Sequence, residues 1–194
     1  MHDALKPASS NWTRRLLATI DACVGAQGTI DVPRLAEALA TVSAWDECPH
    51  ADEVAGHGTA ATYRRIPLAV RADLGYEALL IVWPPGYATP VHDHDDLWGM
   101  EFVLDGVLEV EAFDLASGAQ PQLVSREVSV LGIGDYVAFT HAGYAHRCRN
   151  LSSNRPTLSL HVYGGELNSY RSFRQDEDRW IATTHPTIRD CALS

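Results

Sequence analysis

Long apolar runs are missing from this chain. No stretch approaches the roughly 20 residues that a membrane helix needs, which argues against a spanning protein. Cysteine is sparse: Cys23, Cys48, Cys148 and Cys191 lie far apart with no CxxC spacing, so neither a disulfide scaffold nor a zinc ribbon is indicated. The segment Met1 to Pro7 lacks the basic-then-apolar pattern of a secretory signal, and a reducing cytoplasm is the expectation. Positive charge is the minority sign. Fifteen Lys and Arg against 25 Asp and Glu give a net charge of -10 and a pI near 5.2, the opposite of the basic stripe a nucleic-acid binder carries. No internal repeat and no low-complexity tract is present, and nothing calls for an obligate protein partner.

What is present is 194 residues with 46% hydrophobic and 21% charged side chains, enough for one compact unit. Trp12, Leu16, Leu17 and Ile20 recur at helical spacing, with Asn11 as a candidate cap and breaks at Gly25 and Gly28. Asp31 before Val32-Pro33 starts a second helix whose stripe of Leu35, Leu39 and Val42 runs to Trp45. Residues 46–60 read as a connector. From Tyr63 the pattern changes to short strands: 76–83, 100–104, 107–113, 128–131, 136–139, 146–149 and 157–163. Asp105-Gly106 reads as a two-residue hairpin turn. The tail from Tyr170 shows no clear period. The expectation is a mainly β sandwich or barrel over 61–194, with a helical segment over 1–60 packed on it as part of one structural domain.

The nine histidines are not scattered evenly. In His92-Asp93-His94 the two imidazoles share one face of an extended segment and form a ready pair of metal ligands. The spacing Gly86, His92, His94, Gly99, Gly106 is the first signature of the cupin superfamily, with Gly99 in the usual glutamate slot. Gly134, Gly143, His146 and Asn150 resemble the second signature with one extra residue. The third ligand is then His146, and the fold a single cupin double-stranded β-helix, or jelly-roll barrel. Three neutral imidazoles would leave a divalent ion its full charge and room for an anionic ligand such as a thiolate. Imidazole suits iron, zinc, copper and nickel alike. His2, His50, His57, His141 and His185 fit no ligand spacing.

Ser159, His161 and Tyr163 share one face of a strand, with Leu160 and Val162 on the other. Such a row can pass hydrogen bonds along its length and fix the tyrosine hydroxyl at its end; the bland alternative is the polar face of an exposed strand. With the His92/His94/His146 triad and Tyr63-Arg64-Arg65, this row makes residues 63–163 resemble the thiol dioxygenases of the cysteine dioxygenase type. The resemblance implies a mononuclear Fe(II) centre, a small thiol and O2 as substrates, and a sulfinate product. It also implies Arg65 as anchor for the substrate carboxylate, Tyr63 in the pocket wall and Tyr163 as the hydroxyl nearest the reaction. An arginine fork is well matched to a carboxylate.

Animal members carry a cysteine at the position of Gly99, cross-linked to the tyrosine corresponding to Tyr163, and glycine cannot form that bond. Trp98-Gly99 instead resembles the bacterial 3-mercaptopropionate dioxygenases, with Trp98 shaping the pocket, whereas Arg65 leans toward cysteine. Arg171 lies near where the mercaptopropionate enzymes place a second arginine. If it reaches the pocket, mercaptosuccinate becomes a candidate substrate; otherwise it is a solvated surface cation. Asp93, Asp95 and Asp96 read as loop-orienting or solvent-facing groups, and Cys148 as a small core residue. Two other classes remain open: a three-histidine zinc hydrolase or lyase, and a non-catalytic ligand-binding cupin.

Overall fold

The computed structural model describes residues 11–25, 29–56, 62–116, 120–140 and 143–189. Gly28, His2, His57, His141 and Cys191, each weighed above, lie outside the described residues. The helical region opens with α1 (Asn11–Cys23) and α2 (Val32–Leu39). Asp31 caps α2 as its sequence position suggests, its carboxylate accepting from the Arg34 backbone N–H at 3.1 Å. The second helix stops at Leu39 rather than continuing to Trp45; Val42–Ala44 forms a separate 3-10 turn. Trp12 secures that turn by donating its indole N–H to the Val42 carbonyl at 3.2 Å. The expected connector also contains a short helix, α3 (Ala51–Ala55). Asp105, far along the chain, holds its start by accepting from the Ala51 N–H at 2.9 Å.

Strands β1 (Arg64–Arg71), β2 (Tyr76–Trp83), β9 (Thr157–Tyr163), β4 (Gly99–Asp105) and β7 (Tyr136–Phe139) form one antiparallel sheet in that order. The second sheet runs β11 (Arg179–Pro186), β10 (Ser169–Asp176), β3 (Val91–His92), β8 (Tyr144–Asn150), β5 (Leu108–Ala116), β6 (Gln122–Leu131). Together they make the double-stranded β-helix that the two signatures lead one to expect. The turn at Asp105-Gly106 is real, but it is not a hairpin: β4 belongs to the first sheet and β5 to the second. Gly106 turns the chain at φ +91 with its Cα pressed against Thr157, where an added Cβ would fall 2.3 Å from the threonine hydroxyl. The Val107 N–H donates to that same hydroxyl at 3.1 Å, so the glycine makes a corner between sheets. The tail without clear period is a hairpin of β10 and β11. Its side chains are mostly exposed, which is why alternation does not mark it.

Every residue of β2, β4 and β9 is buried. Alternation sorts them into two cores. Ala78, Leu80, Val82, Met100, Phe102, Leu104, Leu158, Leu160 and Val162 pack with Trp12, Leu16, Ile20, Leu35 and Leu39 of the helices. Leu79, Ile81, Trp83, Val103 and Tyr163 face the barrel interior with Leu108, Val110, Leu131, Phe139 and Cys148. The Ser159/His161/Tyr163 row therefore lies inside the barrel, not on an exposed face. Among the described residues no helix is long and apolar enough to cross a membrane.

Glu77 of β2 is fully buried and binds Arg189 with both oxygens, at 2.6 and 2.9 Å, while accepting from the Leu167 N–H at 3.0 Å. The Arg189 fork also donates to the Leu167 carbonyl at 2.8 Å, so this ion pair pins residues 187–189 to the barrel. Removing one partner of a buried pair leaves the other charge uncompensated. Glu77→Gln is expected to cost about 3 kcal/mol, or a fall of roughly 6–12 °C in Tm for a chain of this size, read by circular dichroism.

Candidate metal centre and substrate cavity

Three imidazoles meet between the sheets. His92 ends β3, His94 follows it in the loop, and His146 lies on β8 directly opposite His92 in the strand register. Their ring centroids are 4.7 to 5.1 Å apart, and one ligand atom from each lies within 4.8 Å of the other two. Asp95 and Asp96 take positive φ values of 54 and 61 just after His94, a conformation aspartate tolerates, and turn the chain back into β4. Asp93 is tied to β10, accepting from the Arg171 backbone N–H at 2.8 Å and from its Nε at 2.6 Å, which braces the loop between two of the imidazoles.

The donor set fits a divalent ion. His92 Nδ1 sits 3.0 Å from the Pro90 carbonyl. Donating there fixes the tautomer and leaves Nε2 as the free donor. Neither ring nitrogen of buried His94 has a hydrogen-bond partner among the described residues, a costly arrangement that a bound cation would relieve. Burial, with His146 adding to it, lowers the His92 pKa to about 3, and burial pushes His94 and His146 down as well. All three are therefore neutral, the form that ligates.

The interior row forms a continuous chain of hydrogen bonds. Trp83 donates its indole N–H to Ser159 Oγ at 2.7 Å, so the serine hydroxyl is left to donate to His161 Nε2 at 2.8 Å. His161 then carries its proton on Nδ1, which faces the Tyr163 hydroxyl at 3.0 Å and Glu101 Oε1 at 3.3 Å. Tyr163 is held protonated by burial, which drives its pKa well up. Its hydroxyl accepts from His161 and keeps its own proton to donate.

Glu101 is the residue that the sequence reading missed. The expectation was a centre without a carboxylate, because the glutamate slot holds Gly99. Glu101 stands two residues later on the same face of β4, opposite His161, and brings a buried carboxylate to the centre. Its Oε1 lies 3.3 Å from His146 Nε2 and 4.0 Å from His94 Nε2. Burial alone would raise its pKa, but His146 and His161 more than reverse that and keep it ionised. Cys148, beneath it, donates its thiol to Oε2 at 3.5 Å and is kept as the thiol by burial. The period of two contained this signal, since residues 99, 101 and 103 share a face.

Gly99 itself pairs with Tyr163 across the strands. A Cβ there would fall 2.2 Å from the Phe139 ring. That ring stacks on His94 at 4.5 Å and on Tyr144 at 4.7 Å, so phenylalanine fills the space beside Tyr163. Asn150, the last residue of the second signature, serves the fold: its amide donates to the carbonyls of Trp83, Pro84 and Arg155.

A cavity of about 270 Å³ opens beside the centre. His92, Arg65, Tyr63 and Tyr87 line it on one side, with Tyr170 and Ile188 also in its wall. Tyr63 stacks on Tyr87 at 4.8 Å and meets Trp83 edge-on at 5.3 Å. Arg65, in β1 rather than ahead of it, has Nε and Nη2 buried without a hydrogen-bond partner among the described residues. Two expected pocket residues lie elsewhere. The Arg171 guanidinium is half-exposed and engaged by Asp93, away from the cavity wall. Trp98 points to the helix-covered face and packs its indole against Gly164, because it alternates with inward-facing Gly99.

A double-stranded β-helix with three convergent imidazoles, two of them buried, is a cupin with a candidate mononuclear metal centre. Residues 28–176 match the family cysteine dioxygenase type I, and the chain belongs to that family. It is 31% identical over 107 residues to cysteine dioxygenase type 1 of Danio rerio, an alignment covering 52% of this chain and 50% of that protein. Against the Homo sapiens protein of the same name the identity is 23% over 100 residues, with 52% and 50% covered. The chain thus spans about half the length of the curated relatives it matches. A solved double-stranded β-helix protein from Klebsiella pneumoniae is similar over 68% of this chain and 100% of its own, at 16% identity and a TM-score of 0.45.

Two substitutions test this geometry. His146→Ala is expected to abolish the one-equivalent metal binding of the purified protein, measured by equilibrium dialysis with elemental analysis. Gly99→Ala forces the Phe139 ring out of its stack and should cost about 1–3 kcal/mol in urea unfolding, with much of the loss recovered when Phe139→Leu is added.

Proposed function

We propose that this chain is a thiol dioxygenase that oxidises a small carboxylated thiol to its sulfinate at an Fe(II) centre held by His92, His94 and His146. The observation that carries the reading is that Arg65 and His92 line one small cavity, with two donors of the arginine fork lacking a partner among the described residues. A buried guanidinium with open N–H groups calls for an anion, and its planar fork matches a carboxylate. The substrate is then held at two ends, carboxylate at Arg65 and sulfur at the imidazole centre. Ferrous ion at that centre supplies a site for thiolate and the means for O2 to react with it. In the overall reaction R–SH and O2 give R–SO2⁻ and H⁺: both oxygen atoms bond to sulfur, which loses four electrons to O2, and no external reductant is needed.

The remaining work falls to residues of the chain. Tyr163, oriented by His161 and Ser159, presents an O–H to the reacting atoms. Tyr63 and Tyr87 form an aromatic wall that limits water. With Arg171 engaged by Asp93, Arg65 is the one cation in the cavity wall among the described residues. That favours a thiol with a single carboxylate, cysteine or 3-mercaptopropionate, over mercaptosuccinate.

Oxygen uptake by anaerobically Fe(II)-loaded protein, with sulfinate measured alongside, tests the reaction. One-to-one uptake and sulfinate with a carboxylated thiol is expected. Arg65→Leu should raise KM for that thiol at least tenfold, about 1.4 kcal/mol, while leaving the slow turnover of cysteamine, which lacks a carboxylate, little changed. No uptake with any thiol would overturn the reading, and tightly retained zinc in that case would favour a hydrolytic centre.

A further inference from the structure

We propose that Glu101 is a fourth protein donor to the cation held by His92, His94 and His146, making a centre of three imidazoles and one carboxylate. This rests on the metal-centre reading above and goes beyond its three ligands. Glu101 Oε1 lies 3.3 Å from His146 Nε2 and 4.0 Å from His94 Nε2. Donors at right angles on an ion with bonds of about 2.1 Å lie about 3.0 Å apart, and opposed donors about 4.2 Å. Toward His146 and His94 the carboxylate oxygen is spaced as a neighbour within one coordination shell. The group already within 4.8 Å is His92, His94 and His146, while Glu101 groups with His146 and Cys148, so the carboxylate would close on the ion as it binds.

The lone pairs lead to the same place. A His146 ring that ligates through Nε2 has no proton there to offer Glu101. Carboxylate oxygen and imidazole nitrogen then face each other at 3.3 Å with lone pairs converging, which is repulsive without a cation at their meeting point. The charge argues likewise. Glu101 is buried, and its ion-pair partners among the described residues are the imidazoles of His94, His146 and His161 alone. A carboxylate removed from water needs a compensating cation, and no Arg or Lys among the described residues supplies one by direct contact. Its orientation is set from outside, by His161 Nδ1 on Oε1 and the Cys148 thiol on Oε2, as metal-binding carboxylates are commonly held.

Four protein donors leave two positions of an octahedral shell. A thiol substrate would then attach through sulfur with its carboxylate at Arg65, and a substrate amino group would have no position to spare. The carboxylate also reduces the net charge at the centre from two to one.

Anaerobic Co(II) titration of the full chain and of Glu101→Gln, Glu101→Leu and His146→Ala tests this. Affinity is read by chelator competition, coordination by the visible absorption bands, and apo folding by circular dichroism. The expected result is one site in the wild-type protein, lost in His146→Ala. Both Glu101 variants should bind at least tenfold more weakly, with bands shifted and intensified as the coordination number falls. Wild-type affinity and spectrum in both Glu101 variants would overturn the role of Glu101 alone. No Co(II) site in the wild-type protein, or one unchanged by His146→Ala, would overturn the metal centre and this proposal with it. Independently of any variant's folding, infrared difference spectra of the wild-type protein should show a carboxylate stretch displaced on Co(II) addition, and its absence would overturn the proposal.

Discussion

Because helices pack on one side of the five-stranded sheet and the second sheet packs on the other, β2, β4 and β9 have no solvent face. Any polar side chain on them must find its partner within the protein. Apolar residues dominate the helix-facing side in a single cluster running from Trp12 to Val162, with the polar ends of Tyr76 and Asp105 bonded to Asp21 and to the Ala51 N–H of the helical region. The inward side instead carries Glu77, Glu101, Ser159, His161 and Tyr163, and each is bonded to another interior group. The chemistry of this molecule is what that requirement of satisfaction has left inside the barrel.

The order of bonds in the interior follows from its ends. Trp83 can only donate, which makes Ser159 pass its own proton to His161 Nε2 and sets the Nδ1 tautomer. An ionised Glu101 can only accept, which fits the same tautomer from the other side. Two fixed ends therefore define one arrangement of protons, and Tyr163 inherits a free O–H from it. The rigid surroundings, including Phe139 stacked between His94 and Tyr144, hold the rings in that arrangement.

Much of this was legible in the sequence where a period or a fixed spacing was at work. β2, buried on both faces, reads clearly as an apolar run, and His92, His94 and His146 are brought together as their spacing implies. Glu101 was passed over because the signature assigns one slot to a carboxylate, and that slot holds glycine. Strand parity, rather than the motif, carried the information. Asp105-Gly106 signals a turn but not its partner, since local chemistry cannot say whether the next strand returns to the same sheet. Arg171 and Trp98 could not be placed from sequence: one depends on a long-range ion pair with Asp93, the other on which face of β4 meets the helices. The hairpin of β10 and β11 escaped notice because exposure erases the alternation by which strands are recognised.

His92, His94 and His146 all hang from the six-stranded sheet or the loop that leaves it, whereas Glu101 rises from the five-stranded one. An ion that joined all four would be a rivet through both walls of the barrel rather than an ornament on one of them. Its binding energy would then resist the parting of the two walls, and the unfolding of this protein would begin with breaking that rivet.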